Sequence, residues 1–170
     1  MPFKIPDHLI IKETEHWIIN QRVGSNLPGY LMVGARVETN DLSELPPAAL
    51  AELGPLLASA QKALSDLFKP DHLYIGRYGH TSGHSIHFHV IPIYTWVKEA
   101  FADDPRYRVF KSFYTPGVPT SDPDGAELTL YVWREFCESR TPPPIQGPSV
   151  AEVITLLKNG SALGTPHEAK

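Results

Sequence analysis

Between Gly83 and Pro92 the chain reads Gly-His-Ser-Ile-His-Phe-His-Val-Ile-Pro, so three of the six residues from His84 to His89 are imidazoles. An imidazole titrates near pH 6.5 and works near neutrality as a nucleophile, a proton carrier or a metal ligand. Ile86, Phe88, Val90 and Ile91 are strong β formers, so the segment reads as a strand. On a strand, residues two apart share a face, which puts Ser85, His87 and His89 on one side and Ile86, Phe88 and Val90 on the other. Same-face Cα atoms lie roughly 6 to 7 Å apart, so two imidazoles can reach one phosphate or one metal ion. If His87 attacks a phosphorus, a covalent histidyl intermediate forms and water later cleaves it, which divides one hard displacement into two easier ones. Charge on the phosphate oxygens then needs donors. His89, the Ser85 hydroxyl, Arg77 and backbone N–H groups around Gly79 and Gly83 are the candidates. Ser85 is a poor proton source for a leaving group, so His84 or His80 is the candidate for that task. The competing chemistry is a metal site, because His-x-His on one strand face is a normal ligand pair and His84 can join it. Against this, no Glu or Asp follows His89 within eight residues.

The elements that must hold this row can be read in order. His8 to Lys12 and Glu15 to Asn20 are short β-rich runs broken by Glu13-Thr14, and Gln21 to Gly29 is a loop by its Gly, Ser, Asn and Pro content. Tyr30 to Val37 is a further strand. Pro47 to Phe68 is predicted to be a long helix, with Leu50, Leu53, Leu57, Ala60, Leu64 and Leu67 as its apolar stripe and a kink at Pro55. Lys69-Pro70-Asp71 ends it, His72 to Tyr78 is a strand, and Gly79 to Gly83 is a turn into the histidine row. Further on, Tyr94 to Phe101 is a short helix, Asp103 to Gly125 is irregular, and Ala126 to Ser139 is a helix after an acidic cap. Thr141 to Pro144 is a stiff linker, and Ser149-x-x-Glu152 caps a last helix that needs a partner surface, on its own subunit or a neighbour's. Residues 161–170 read as a frayed tail. Strands in succession, one long helix and short links predict an α+β domain with an antiparallel sheet. The division expected is a domain over 1–101, a segment with a helix packed on it over 102–140, and a linker with a C-terminal helix over 141–170.

Composition narrows the function classes. With 170 residues, 42% of them hydrophobic, the chain suffices for one real core. Fifteen basic against nineteen acidic residues give a net charge of −4, which disfavours nucleic acid or an anionic membrane as partner. A single cysteine, Cys137, fits a reducing compartment and reads as a small buried group. No long apolar run or leader-like N-terminus is evident, so the expectation is a cytoplasmic protein without a membrane segment. Singly, His80 and His84 read as solvated turn residues, Tyr30 as a packed strand tyrosine, and Arg77 as either a phosphate contact or a surface ion pair.

The row Ser85-Ile-His87-Phe-His89-Val-Ile-Pro92 resembles the signature of the histidine triad superfamily, where histidines alternate with apolar residues on a strand. The resemblance extends to Leu27-Pro-Gly-Tyr-Leu-Met-Val33, similar to the family's Pro-Gly-His strand, to the helix from Pro47 to Phe68, and to Arg77-Tyr-Gly79, similar to its Asn-x-Gly turn. It covers about Leu9 to Tyr94. It implies a mainly antiparallel five-stranded sheet with one long helix, here with a C-terminal extension, usually in a homodimer and without a cofactor. It also implies hydrolase or nucleotidyltransferase chemistry on a phosphoramidate or phosphoanhydride bond of a purine nucleotide or dinucleoside polyphosphate. Anchored on Pro92, the resemblance makes His87 the nucleophile, His89 the third histidine and Ser85 the replacement of the first. Anchored on Gly83, it makes His87 the first, His89 the nucleophile and Ile91 the third; the Pro92 register keeps both the proline and the polar face. Tyr30, Asn20, Arg77, Gly83 and His84 are the nucleotide-binding positions it implies. Four positions depart from the pattern: Ser85, Tyr30, Arg77 and Ile93. These departures keep open two alternatives, a weak or inactive nucleotide-binding module and a metal-binding histidine cluster.

Overall fold

Five short segments rich in β-branched, aromatic and other apolar residues, separated by turns, loops and one long helix, build the sheet of this protein. The computed structural model describes residues 4–78, 83–107, 123–160 and 163. His80, Gly79, most of the segment expected to be irregular and nearly all of the tail lie outside them. Strands β1 (Ile10–Glu13), β2 (Trp17–Gln21), β3 (Leu31–Ala35), β4 (His72–Gly76) and β5 (His87–Ile93) form one sheet in the order β1-β2-β3-β5-β4, with every neighbouring pair antiparallel. A 3-10 turn over Asp7–Leu9 precedes β1, where the sequence predicted strand from His8. The loop between β2 and β3 is tied by one residue. Gln21, fully buried, donates from Nε2 to the Leu27 carbonyl at 2.8 Å and accepts from the Gly29 N–H at 3.1 Å. Gly29 has φ +77°, and a Cβ there would lie 3.0 Å from Leu64 and 3.1 Å from the Tyr94 hydroxyl, so both conformation and space require glycine.

Helix α1 (Pro47–Phe68) starts with proline at its first turn and ends at Lys69, whose φ of 46° is left-handed. It runs unbroken through Pro55. The proline is on the exposed side, where water can satisfy the carbonyl that loses its partner. The buried stripe is Ala49, Leu56, Ala60, Ala63 and Leu64, whereas Leu50 and Leu67 are exposed. The expected stripe is thus rotated, because three alanines let the helix approach the sheet and leucines are not needed along the whole seam. The Trp17 indole N–H donates to the Ala49 carbonyl at 2.9 Å and fixes the start of α1 over β2.

The two faces of the sheet carry separate cores. Trp17, Ile19, Leu31, Val33, Ile86 and Val90 meet α1, and Val153 and Leu157 of the C-terminal helix join them. That helix, Val150–Asn159, has the predicted Ser149/Glu152 capping box and packs beside β1 of its own sheet. On the other face, Leu27, Tyr30, Ile91 and Ile93 meet α2 (Thr95–Asp103) and α3 (Gly125–Trp133) through Val97, Phe101, Leu128, Tyr131 and Val132. The C-terminal helix is therefore α4. A capping box of Asp124 and Glu127 opens α3, and one wider π turn over Arg134–Glu138 closes it, within the stretch predicted as helix. Among the described residues no helix is long and apolar enough to cross a membrane.

Candidate active site

The side chains of β2, β3 and β5 that point away from α1 form three rungs. Ile18, Gly34 and His87 make the first, Asn20, Met32 and His89 the second, as the strand registers dictate. Just beyond the ladder, the Arg22 N–H bonds the Tyr30 carbonyl at 2.7 Å, and with Ile91 these residues make the third. Above the rungs lies a cavity of about 1140 Å³, roofed by Ala126, Thr129, Leu130 and Trp133 of α3. Ser85, Gly83, His84 and Tyr78 border it at the entry to β5.

His87 Nδ1 is 2.8 Å from the Ser85 carbonyl oxygen. A carbonyl only accepts, so Nδ1 carries a proton, and in the neutral ring Nε2 then keeps the lone pair a nucleophile needs. His89 Nδ1 is 2.8 Å from the Tyr30 hydroxyl, and its ring stands edge-on to His87 at 5.1 Å and to Tyr78 at 5.2 Å. Burial pushes the His89 pKa down to about 4, the neighbouring charges of His87 and Arg22 push it the same way, and the Tyr78 backbone opposes them. His89 is therefore neutral at pH 7. Burial also holds Tyr30 in its phenol form well above the ordinary range. With Tyr30 donating to Nδ1, the His89 proton sits on Nε2, a buried atom without a hydrogen bond of normal geometry among the described residues. The second rung thus offers a neutral N–H donor beside the His87 ring.

The structure brings together His87, His89, Ser85, Tyr30, Asn20, Gly83 and His84 around this one cavity. It does not bring Arg77, whose guanidinium donates to the Asn40 carbonyl. Asn20 is 3% exposed and spends its amide N–H on the Gln21 carbonyl at 2.7 Å. Ser85 contributes its carbonyl to orient His87. Among the described residues no group of three His, Cys, Asp or Glu side chains is placed to hold a metal ion. Arg22 and Trp133 are among the lining residues that the sequence did not single out. Arg22 continues the alternation Ile18, Asn20 by one more step, a signal masked by the loop composition around it. Trp133 had no signal, since nothing local tells a helix which face will roof a cavity.

The chain matches no protein-family model and no curated protein. Among solved structures, a uridylyltransferase is similar over 93% of this chain and 42% of its own, at 16% identity and a TM-score of 0.54. A Zn-bound histidine triad family protein from Mycobacterium smegmatis is similar over 91% of this chain and 83% of its own, at 19% identity and a TM-score of 0.49. A hypothetical histidine triad nucleotide-binding protein from Sulfolobus tokodaii is similar over 88% and 85%, at 17% identity and a TM-score of 0.46. The chain has a mixed α+β fold around a five-stranded antiparallel sheet, similar to that of the uridylyltransferase.

Proposed function

We propose that this protein binds a nucleotide in the cavity over β5 and breaks a phosphoramidate or phosphoanhydride bond through His87. The observation that carries the reading is the His87 tautomer: Nδ1–H is committed to the Ser85 carbonyl, and Nε2 is left as the reactive atom next to a neutral, buried His89. Nε2 attacks the phosphorus, the bond to the leaving amine or phosphate breaks, and the charge gathering on the phosphoryl oxygens meets the His89 Nε2–H. His84, on the cavity border, is the candidate proton donor to the leaving group. Water or a second acceptor then displaces the histidine, giving hydrolysis or transfer. Asn20, Tyr30 and Gly83 serve the nucleotide, and the similarity of the fold to a uridylyltransferase is consistent with that ligand class. A homodimer in the cytoplasm belongs to the same reading; its mass in solution tests the first part.

A second reading is favoured by Ser85, which offers the site a carbonyl and a hydroxyl where an imidazole would give a better proton source: a nucleotide-binding module without turnover. One experiment separates the two. Adenosine 5′-phosphoramidate and a diadenosine polyphosphate are offered to the wild type and to His87→Ala, with AMP thermal shifts run alongside. Turnover by the wild type alone, with a trapped histidyl-nucleotide, supports the enzyme. A thermal shift with no turnover establishes the module, and no shift with any nucleotide removes both. Turnover lost with His89→Ala but kept with His87→Ala would move the nucleophile to His89.

A further inference from the structure

Arg22 is unlike the arginines that the structure pairs with acids. Arg36 is bridged to Glu13, and Arg106 to Asp104 and Glu135, whereas among the described residues no carboxylate lies within ion-pair distance of Arg22. Its guanidinium carbon sits 5.4 Å above the Tyr30 ring, and one of its nitrogens makes a long 3.4 Å contact with the Val23 carbonyl. A guanidinium stays charged at every working pH and presents five N–H donors in one plane, so with Tyr30 and the Val23 carbonyl as its neighbours this permanent cation still has donors to spare. Glu38, the one carboxylate among the described lining residues, follows the opposite end of β3. The rungs fix where this cation works. Arg22 belongs to the third rung and His87 to the first, two same-face steps or roughly 13 Å of strand away, with His89 between them. A phosphorus attacked by His87 must come within about 3.5 Å of Nε2. The guanidinium beyond His89 is then placed for the next charged group along the substrate.

We propose that Arg22 is a specificity-determining residue that holds a second phosphate, so that the cavity prefers a nucleoside di- or polyphosphate to a monophosphate. The inference rests on the nucleotide reading above and selects the phosphoanhydride class within it. Titration calorimetry with AMP and with adenosine 5′-(α,β-methylene)diphosphate tests it in the wild type, Arg22→Met and Arg22→Lys, without requiring turnover. A charge-assisted pair of hydrogen bonds corresponds to a preference of about tenfold or more for the diphosphate in the wild type. Arg22→Met should erase this preference while AMP affinity stays within about twofold, and Arg22→Lys should keep part of it. A wild type that binds both ligands equally overturns the assignment alone, as does a preference that survives Arg22→Met, or a variant that loses AMP and diphosphate in equal measure while melting like the wild type. A wild type that binds neither ligand overturns the nucleotide reading itself.

Discussion

The two faces of one sheet divide the labour of this molecule. Odd-numbered residues of β2 and β3, Trp17, Ile19, Leu31 and Val33, meet α1 in a dry seam completed by Ala60, Ala63 and Leu64, all almost wholly buried. Their even-numbered neighbours, Ile18, Asn20, Met32 and Gly34, floor a cavity together with His87 and His89. The backbone hydrogen bonds are shared, and only the side chains differ. On the first face every group has a close-packed neighbour, so substitution costs stability; on the second, space has been left over polar atoms, so substitution should cost chemistry. A protein interior at normal packing density leaves no such volume by accident.

The largest effect that tests this division is His87→Ala. Turnover of a phosphoramidate or phosphoanhydride substrate should fall at least about a thousandfold, as for loss of other covalent nucleophiles, while the stability measured by urea unfolding changes by only about 1 kcal/mol for the lost bond to the Ser85 carbonyl. Leu64→Ala is its mirror image. Leu64 is fully buried between α1 and the sheet, so the unfolding free energy should drop by about 2 to 5 kcal/mol. Turnover per folded molecule should stay unchanged. If Leu64→Ala also altered kcat at temperatures where the protein is fully folded, the faces would be coupled through the sheet and the contrast would fail.

Tyr30 sits where the contrast is least clean, because it packs against Leu27 and Ile91 in the second core and also bonds His89. Tyr30→Phe keeps the ring and removes the hydroxyl, leaving His89 Nδ1 buried and unpaired at a cost of about 1 to 3 kcal/mol. It should lower kcat about tenfold with little change in KM, because the tautomer that presents Nε2–H is no longer fixed. His89 also predicts a pH response. Its pKa lies near 4 in the folded protein against about 6.5 when unfolded, so between these values the unfolded chain binds more protons. Stability from this group is complete above pH 6.5 and is lost as pH falls through 4, by up to about 3 kcal/mol. His89→Gln should flatten that slope in unfolding curves taken from pH 7 to pH 4; an unchanged slope would show that other carboxylates or histidines control it.

Much of this arrangement was legible before the structure. Period-two alternation in Ser85 to Val90 put His87 and His89 on one side, because strand geometry leaves no other choice, and Ser149 with Glu152 announced α4, because a capping box is a purely local device. What failed was set by distant partners. The alanines of α1 turned Leu50 and Leu67 outward because a close helix–sheet approach outweighs leucine area. Arg77 reads equally as a phosphate contact or a surface ion pair until the Asn40 carbonyl, 37 residues away, is seen to accept from its guanidinium. Arg22 and Trp133 are named as cavity residues only once β2 is in register and α3 is laid across it.

The smallest effect expected belongs to Trp133, and it asks whether the roof of the cavity is a core or a binding wall. The residue closes α3 and lines the cavity, yet it stays 43% exposed, whereas Phe136 one turn on is 1% exposed and packs edge-on against Trp96 at 5.7 Å. Phe136 is committed to the second core; an indole left open on a cavity wall has a face to spare for a flat ligand. Stacking of a base on an aromatic side chain is worth about 1 to 3 kcal/mol, and partial exposure of this one argues for the lower limit, so Trp133→Ala should weaken AMP binding about fivefold. Its melting temperature should stay close to that of the wild type, because few close contacts are lost from an exposed side chain. Calorimetry and thermal unfolding on the same preparation decide between the roles. Weaker binding at an unchanged melting temperature makes α3 part of the site, whereas a lower melting temperature with unchanged affinity makes its exposed edge an extension of the core and moves the border between the two faces outward, past the helix.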